Sequence, residues 1–205
     1  MEKKYGVFLL IFLVVAIWSG YQSFDPVLWW LEAGMCVAGL IVLIATFKRF
    51  RFTDMTYAFI LLHMIILLIG AHYSYAKVPA FDWLKEMFDS SRNNYDKVGH
   101  FAQGFIPAMI ARELLIRLNV IRKKSWLPFL VVCICLSISA FYELIEWWVA
   151  VLSNDGADDF LGTQGYEWDT QSDMLCALIG AICMLITLSK VQDKQIEKIT
   201  TKSEE

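Results

Sequence analysis

The stretch W-L-P-F-L-V-V-C-I-C-L-S-I-S-A-F-Y-E-L-I-E-W-W-V-A-V-L, residues 126 to 152, carries no charge other than Glu143 and Glu146. A helix needs about 20 apolar residues to cross roughly 30 Å of hydrocarbon, so this segment is long enough to span a bilayer. Five further segments come close: Tyr5 to about Tyr21, Val27 to Phe47, Met55 to Ala76, Val98 to Ile116 and Ser172 to Ser189. The segment from Val98 is the weakest by hydropathy, with an apolar core of only Phe101 to Ala111. Of the 205 residues, 58% are hydrophobic and 19% charged, and the mean hydropathy is +0.51, more than a soluble domain of this size needs to fill its core. The fold class is therefore all-α, a polytopic transmembrane helical bundle of six spans. No linker, low-complexity tract or repeat divides it, so residues 1–190 read as one bundle and 191–205 as a cytoplasmic polar tail.

Basic residues set the orientation. Thirteen of the eighteen Lys and Arg fall in the head, the 48–54 loop, the 117–125 loop and the tail, whereas the opposite loops hold only Lys77, Lys85, Arg92 and Lys97. The basic side is cytoplasmic, which places both ends inside. Arg112, near the inner end of the fourth span, can snorkel. Lys3 and Lys4 before an apolar run also fit a signal peptide, but Ile17 and Trp18 ahead of Ser19 make a poor cleavage site, which favours an uncleaved anchor. On the outer side, Phe81, Leu84 and Phe88 after Pro79 share one helical face and predict a short helix in the interface. The outer loop after residue 153 is acidic and glycine-rich but lacks the alternating ligands of a calcium loop. The five cysteines sit within apolar stretches and read as packing residues.

Ionisable groups at membrane depth cost about 3 kcal/mol each on insertion scales, so they are paired in a bundle or placed along a cavity. Ser139, Glu143 and Glu146 share one face of the fifth span, Glu143 lying roughly 25 Å along it from the inner end. The fourth span brings His100 and Gln103 to its outer end, on a stripe continued by Gly104, Pro107 and Ala111 that allows close helix contact. Pro107 also frees the carbonyl of Gln103. The sixth span opens with Asp169 and Asp173. Topology thus puts His100, Glu143, Glu146, Asp169 and Asp173 at a similar outer depth, with His72 able to join them and Asp96 one turn before His100.

One imidazole among carboxylates suits a divalent metal ion, and Glu143 or Glu146 is then the candidate catalytic base for a metal-bound water. Without a metal, carboxylates this close suit proton coupling. The blander reading is that Asp169 and Asp173 are first-turn helix acids and that His100 pairs with Asp96. His63, mid-span with no acid at its depth, reads as a hydrogen-bonded packing residue, and Glu113 with Arg117 as a surface i, i+4 pair. Glu32 lies at the outer level and is a lesser candidate for the site. No phosphate loop, G-x-S-x-G or H-E-x-x-H appears, and the short basic loops lie against the membrane, so no nucleic-acid partner is expected.

The stretches Y-D-K-V-G-H-F-A-Q-G-F-I-P-A at 95–108, F-Y-E-L-I-E-W-W at 141–148 and G-T-Q-G-Y-E-W-D-T-Q-S-D-M at 162–174 resemble the bacterial inner-membrane YjdF family, a domain of unknown function. Asp96, His100, Glu143 and Asp173 also match, position for position, a pattern of the VanZ-like membrane family, which is associated with glycopeptide resistance. Glu146, Ala177 and the lack of an Arg ahead of Asp173 depart from that pattern. Three functions stay open: a metal-assisted outer-face site that binds or acts on a lipid-linked or envelope-derived molecule, a small proton- or ion-coupled transporter, and a non-catalytic structural membrane subunit.

Overall fold

The computed structural model describes residues 3–153 and 166–204. Most of the acidic loop read after residue 153 lies outside them. The described residues form eight α-helices and no strand: α1 (Lys3–Gly20), α2 (Pro26–Thr46), α3 (Asp54–Tyr73), α4 (Pro79–Met87), α5 (Tyr95–Arg117), α6 (Leu127–Ser153, entered through a 3-10 turn at Lys124–Trp126), α7 (Asp169–Thr187) and α8 (Ser189–Glu204). Local chemistry sets several of the starts. Asp25 accepts from the backbone N–H groups of Val27 and Leu28 ahead of Pro26 in the first turn of α2, and Thr53 caps α3 through the N–H of Thr56.

Five of these helices, α1, α2, α3, α6 with its 3-10 turn, and α7, are long and apolar enough to cross a membrane. Their outward faces carry large exposed apolar side chains such as Val14, Ile17, Ile41, Ile44 and Ile186, which only lipid can cover. The sixth expected span, α5, does not meet that standard on composition. It has 23 residues, or about 35 Å of helix, but it includes Asp96, Lys97, Arg112, Glu113 and Arg117. Its position explains the deficit: α3, α6 and α7 pack around it, so most of its side chains answer to other helices and not to lipid.

The tightest of these contacts is between α5 and α7. A Cβ on Gly104 would lie 1.8 Å from the carbonyl oxygen of Ala177, and one on Gly180 would lie 2.1 Å from the carbonyl oxygen of Phe101. The two backbones therefore touch, as the small-residue stripe predicts. On one side of α5, Phe12, Ala33, Cys36, Ile60, Met64, Leu68, Ala102 and Ile106 form an apolar core with α1, α2 and α3. On the other, Ala108, Met109, Val131, Cys135, Ala181 and Met184 form a second with α6 and α7.

The basic end of the bundle differs from the sequence reading in three places. Glu113 is not a surface residue but fully buried, accepting from the Thr53 backbone N–H (2.8 Å), the Thr53 and Thr56 hydroxyls (2.9 and 2.7 Å) and Arg117 (2.8 Å). A buried carboxylate without such donors would be costly, and with them it clamps the start of α3 to α5. The segment read as a polar tail continues the chain as α8, with Gln192 buried and donating to the carbonyl of Met109 (2.8 Å). Arg112 does not snorkel: it bonds Gln192 (3.0 Å) and Asp193 (2.6 Å).

Because α5 and α7 touch at backbone level, Gly104→Val is expected to lower stability by about 3 kcal/mol or more, read as a fall in the melting temperature of the detergent-solubilised protein. Gly34→Ala, where nothing lies within 4 Å of the added Cβ, is expected to leave it unchanged within about 0.5 kcal/mol.

Candidate functional site

The α5–α7 contact fixes what meets beyond it. The two helices run parallel, so the residues before Phe101 on α5 face those before Ala177 on α7. Lys97 reaches Asp169 (2.5 Å) and Asp173 (2.7 Å), and Arg92 reaches Asp96 (2.5 Å) and Asp169 (2.7 Å). All five side chains are at least four-fifths buried. Tyr166 lies over both cations, its ring centroid 5.7 Å from the Arg92 guanidinium and 6.0 Å from the Lys97 ammonium. Burial opposes the charge on Arg92, yet the hydrogen bond to Asp169 and the neighbouring carboxylates hold its pKa above the ordinary arginine value.

One turn deeper along α5 than this ionic layer sits His100. Its Nδ1 is 3.1 Å from Gln103 Oε1 and 3.8 Å from Glu143 Oε1, and its Nε2 is 3.6 Å from Asp173 Oδ1. The tautomer with its proton on Nδ1 donates to Gln103 and turns the Nε2 lone pair towards Asp173. His100, Glu143 and Asp173 each offer a ligand atom within 4.8 Å of the others, and so do Asp96, Asp169 and Asp173. An ion with bonds of about 2.1 Å needs its ligands no more than about 4.2 Å apart, and the His100–Glu143 and His100–Asp173 separations of 3.8 and 3.6 Å lie within that. Glu143 Oε1 and the neighbouring Ser139 Oγ are buried with no hydrogen-bond partner among the described residues, and the Glu143 side chain is 7% exposed. Such an oxygen is expensive unless something meets it.

A cavity of about 690 Å³ opens from this cluster and runs between α2 and α6, with α3 and α5 behind it. Its polar end is lined by Glu32, Tyr75, Asp96, His100, Tyr142 and Glu146 among others. Glu32 is buried and accepts hydrogen bonds from the hydroxyls of Tyr142 and Tyr75, the latter at 3.0 Å. Tyr75 gets there through an unusual turn. Ser74 and Tyr75 are consecutive residues with positive φ (60° and 40°), and the Tyr75 ring lies where a Cβ on Gly70 would be, 2.3 Å away. Backbone strain of this kind persists where surrounding structure holds it in place.

Of the residues predicted from sequence, the structure brings together His100, Gln103, Glu143, Asp169, Asp173 and Asp96, with Glu146 on the same cavity. The simple His100–Asp96 pair is not formed, since Asp96 binds Arg92. His72 does not join them: its Nδ1 is 2.9 Å from the Ser19 carbonyl and its ring stacks on Trp18. His63 is not hydrogen-bonded through Nε2 among the described residues, and it lines the cavity midway. Sequence reasoning counted Arg92 and Lys97 only as outer-loop charges and so missed their role. Their signal was there, in R-x-x-x-D-K immediately before a helix that carries His100.

Removing Lys97 leaves Asp169 and Asp173 facing each other with less compensation. Lys97→Met is expected to destabilise the protein by about 3 kcal/mol, and adding Asp169→Asn to recover part of that loss, as read in a double-mutant cycle of thermal unfolding.

Comparison with known proteins agrees with the architecture. Residues 5–194 match the family model described as "Predicted membrane protein (DUF2238)". The chain is 46% identical over 185 residues to the "Inner membrane protein YjdF" of Escherichia coli (strain K12), covering 90% of this chain and 88% of that protein. No solved structure matches it. The VanZ-like pattern is not what these matches show, and it carries no further argument. An all-helical bundle with several membrane-crossing helices, aligned almost end to end with an inner-membrane protein, makes this chain a multi-pass inner-membrane member of the YjdF (DUF2238) family.

Proposed function

We propose that the protein holds a divalent cation through His100, Glu143 and Asp173 at the extracytoplasmic face, and uses it to bind or transform a lipid-linked or other envelope-derived molecule. In this reading α5 crosses the bilayer as a sixth span, both termini are cytoplasmic, and the ionic cluster lies just beneath the outer surface. The observation that carries it is the buried Glu143 Oε1, without a hydrogen-bond partner among the described residues, close to an imidazole and a second carboxylate that themselves line a cavity within the bundle.

Charge balance supports a cation at this place. Among the described residues Arg92 and Lys97 are the Lys and Arg that form ion pairs in the cluster, and they meet Asp96, Asp169 and Asp173. No such pair reaches Glu143, Glu146 or Glu32, so the cavity end keeps an excess of carboxylates that a metal ion or protons must offset. A mixed nitrogen and oxygen donor set suits zinc, manganese or iron better than calcium. Such an ion would polarise a phosphoryl or carbonyl oxygen and acidify a water, and Glu146, one turn beyond Glu143 and lining the cavity, is the base that would take the proton.

Metal analysis of the purified protein is expected to find about one divalent ion per chain, with titration of the stripped protein showing His100→Ala and Glu143→Gln weakening it by an order of magnitude or more. Absence of any metal, or a content indifferent to both substitutions, removes the metal site.

A further inference from the structure

The cavity has two parts of different chemistry, and only the polar mouth is explained by a metal. Below it a shaft runs between α2 and α6, walled by Met35, Gly39 and Val42 on one side and Ile138, Phe141 and Ile145 on the other. Several of these same side chains are exposed: Met35 at 53%, Val42 at 59%, Ile138 at 42% and Phe141 at 56%. Residues that both line a cavity and face outward mark a cleft open along its side. Helix α2 packs on α3 and, lightly, on α1, and among the described residues the hydrogen bond that joins its side chains to α6 is the one from Tyr142 to Glu32, at the top. In a bilayer the medium at such an opening is hydrocarbon, and a shaft apolar but for His63 and Thr46 does not hold water well.

Length and charge narrow the occupant. From Glu32 to Thr46, the two ends of the lining on α2, the shaft extends about 21 Å, longer than the roughly 15 Å of one leaflet's hydrocarbon. Four carboxylates, Glu32, Asp96, Glu146 and Asp173, line the cavity, and no Lys or Arg does among the described residues. Asp96 and Asp173 are answered from behind by Arg92 and Lys97, which leaves Glu32 and Glu146 facing the space without a cation. The Tyr75 and Tyr142 rings, both bonded to Glu32, favour a positive group over a neutral one.

We propose that the α2–α6 cleft is the berth of a long-chain amphiphile that enters sideways from the bilayer, its hydrocarbon chain along the shaft and an amine-bearing head group between Glu32 and Glu146. The inference rests on the preceding reading of an outward-facing site and deepens it by naming the ligand class. The metal ligands are His100, Glu143 and Asp173 and the amine station is Glu32 with Glu146, so ion content and amine capture are read on different groups, Glu146 being the one carboxylate that serves both readings.

Photolabelling tests it. The full chain in nanodiscs is irradiated with octadecylamine, octadecanol or octadecanoic acid, each carrying a diazirine near the chain end, and adducts are mapped by mass spectrometry. The amine is expected to label Met35, Gly39, Ile138 and Phe141 about tenfold more than Ile41 and Ile44 on the lipid face of α2, and more than the acid does. Glu32→Gln with Glu146→Gln is expected to remove the amine's advantage while leaving labelling by the alcohol unchanged. Adducts spread evenly around α2, or equal capture of amine and acid, overturn the proposal, and the wild-type map decides this even where a variant fails to fold. Metal content measured on the same samples separates the two readings. A labelled cleft in metal-free protein removes the ion and keeps the amphiphile, and an unlabelled cleft in metal-loaded protein does the reverse.

Discussion

The approach of α5 to α7, carbonyl oxygen against glycine at Gly104 and Gly180, is the constraint on which the rest of the molecule depends. In lipid there is little hydrophobic gain from bringing two helices together, so close association needs backbones that can touch and polar groups that can bond across the gap. This pair has both. The small residues set the register, and the register delivers Arg92, Asp96 and Lys97 to Asp169 and Asp173 with ion-pair distances of 2.5 to 2.7 Å. A slip of one residue on either helix would rotate the charges away from one another and into surroundings where an isolated charge is far more costly than a paired one.

That arrangement also explains why so polar a helix stands at the centre of a membrane bundle. Helix α5 exchanges hydrocarbon contact for contact with its neighbours along most of its length, and each of its charged groups has a protein partner. Asp96 and Lys97 are met at one end, Arg112 by α8, and Glu113 by the start of α3 and by Arg117. The two most apolar helices, α2 and α6, keep most of their residues unburied, on the outside of the bundle.

Much of this was legible in the sequence, and the parts that were not share a cause. Each predicted span ends within about three residues of a helix, because twenty-residue apolar runs have few alternatives. The grouping of His100, Gln103, Glu143, Asp169 and Asp173 followed from depth alone. Depth says nothing about azimuth, however. His72 lies at the right level but turns towards Ser19 and Trp18, while Glu32, a lesser candidate, turns inward. Tyr75 was invisible because its placement depends on a turn with two positive φ angles that no periodicity signals. Glu113 looked like half of a surface pair because Thr53 and Thr56, its other partners, lie some sixty residues away in the chain.

The way α2 is attached separates two jobs that many binding proteins assign to one set of residues. The helices bearing the ionic cluster, α5 and α7, are locked together at backbone contact, whereas the panel that bounds the cleft leans on α3 and, among the described residues, is pinned to α6 by the Tyr142 phenol. In the proposed berth, tilting that wall to suit a guest's girth moves Glu32 with it but leaves the ion pairs of Arg92 and Lys97 in place. Substitutions along the same wall would change what the cleft admits without touching those pairs.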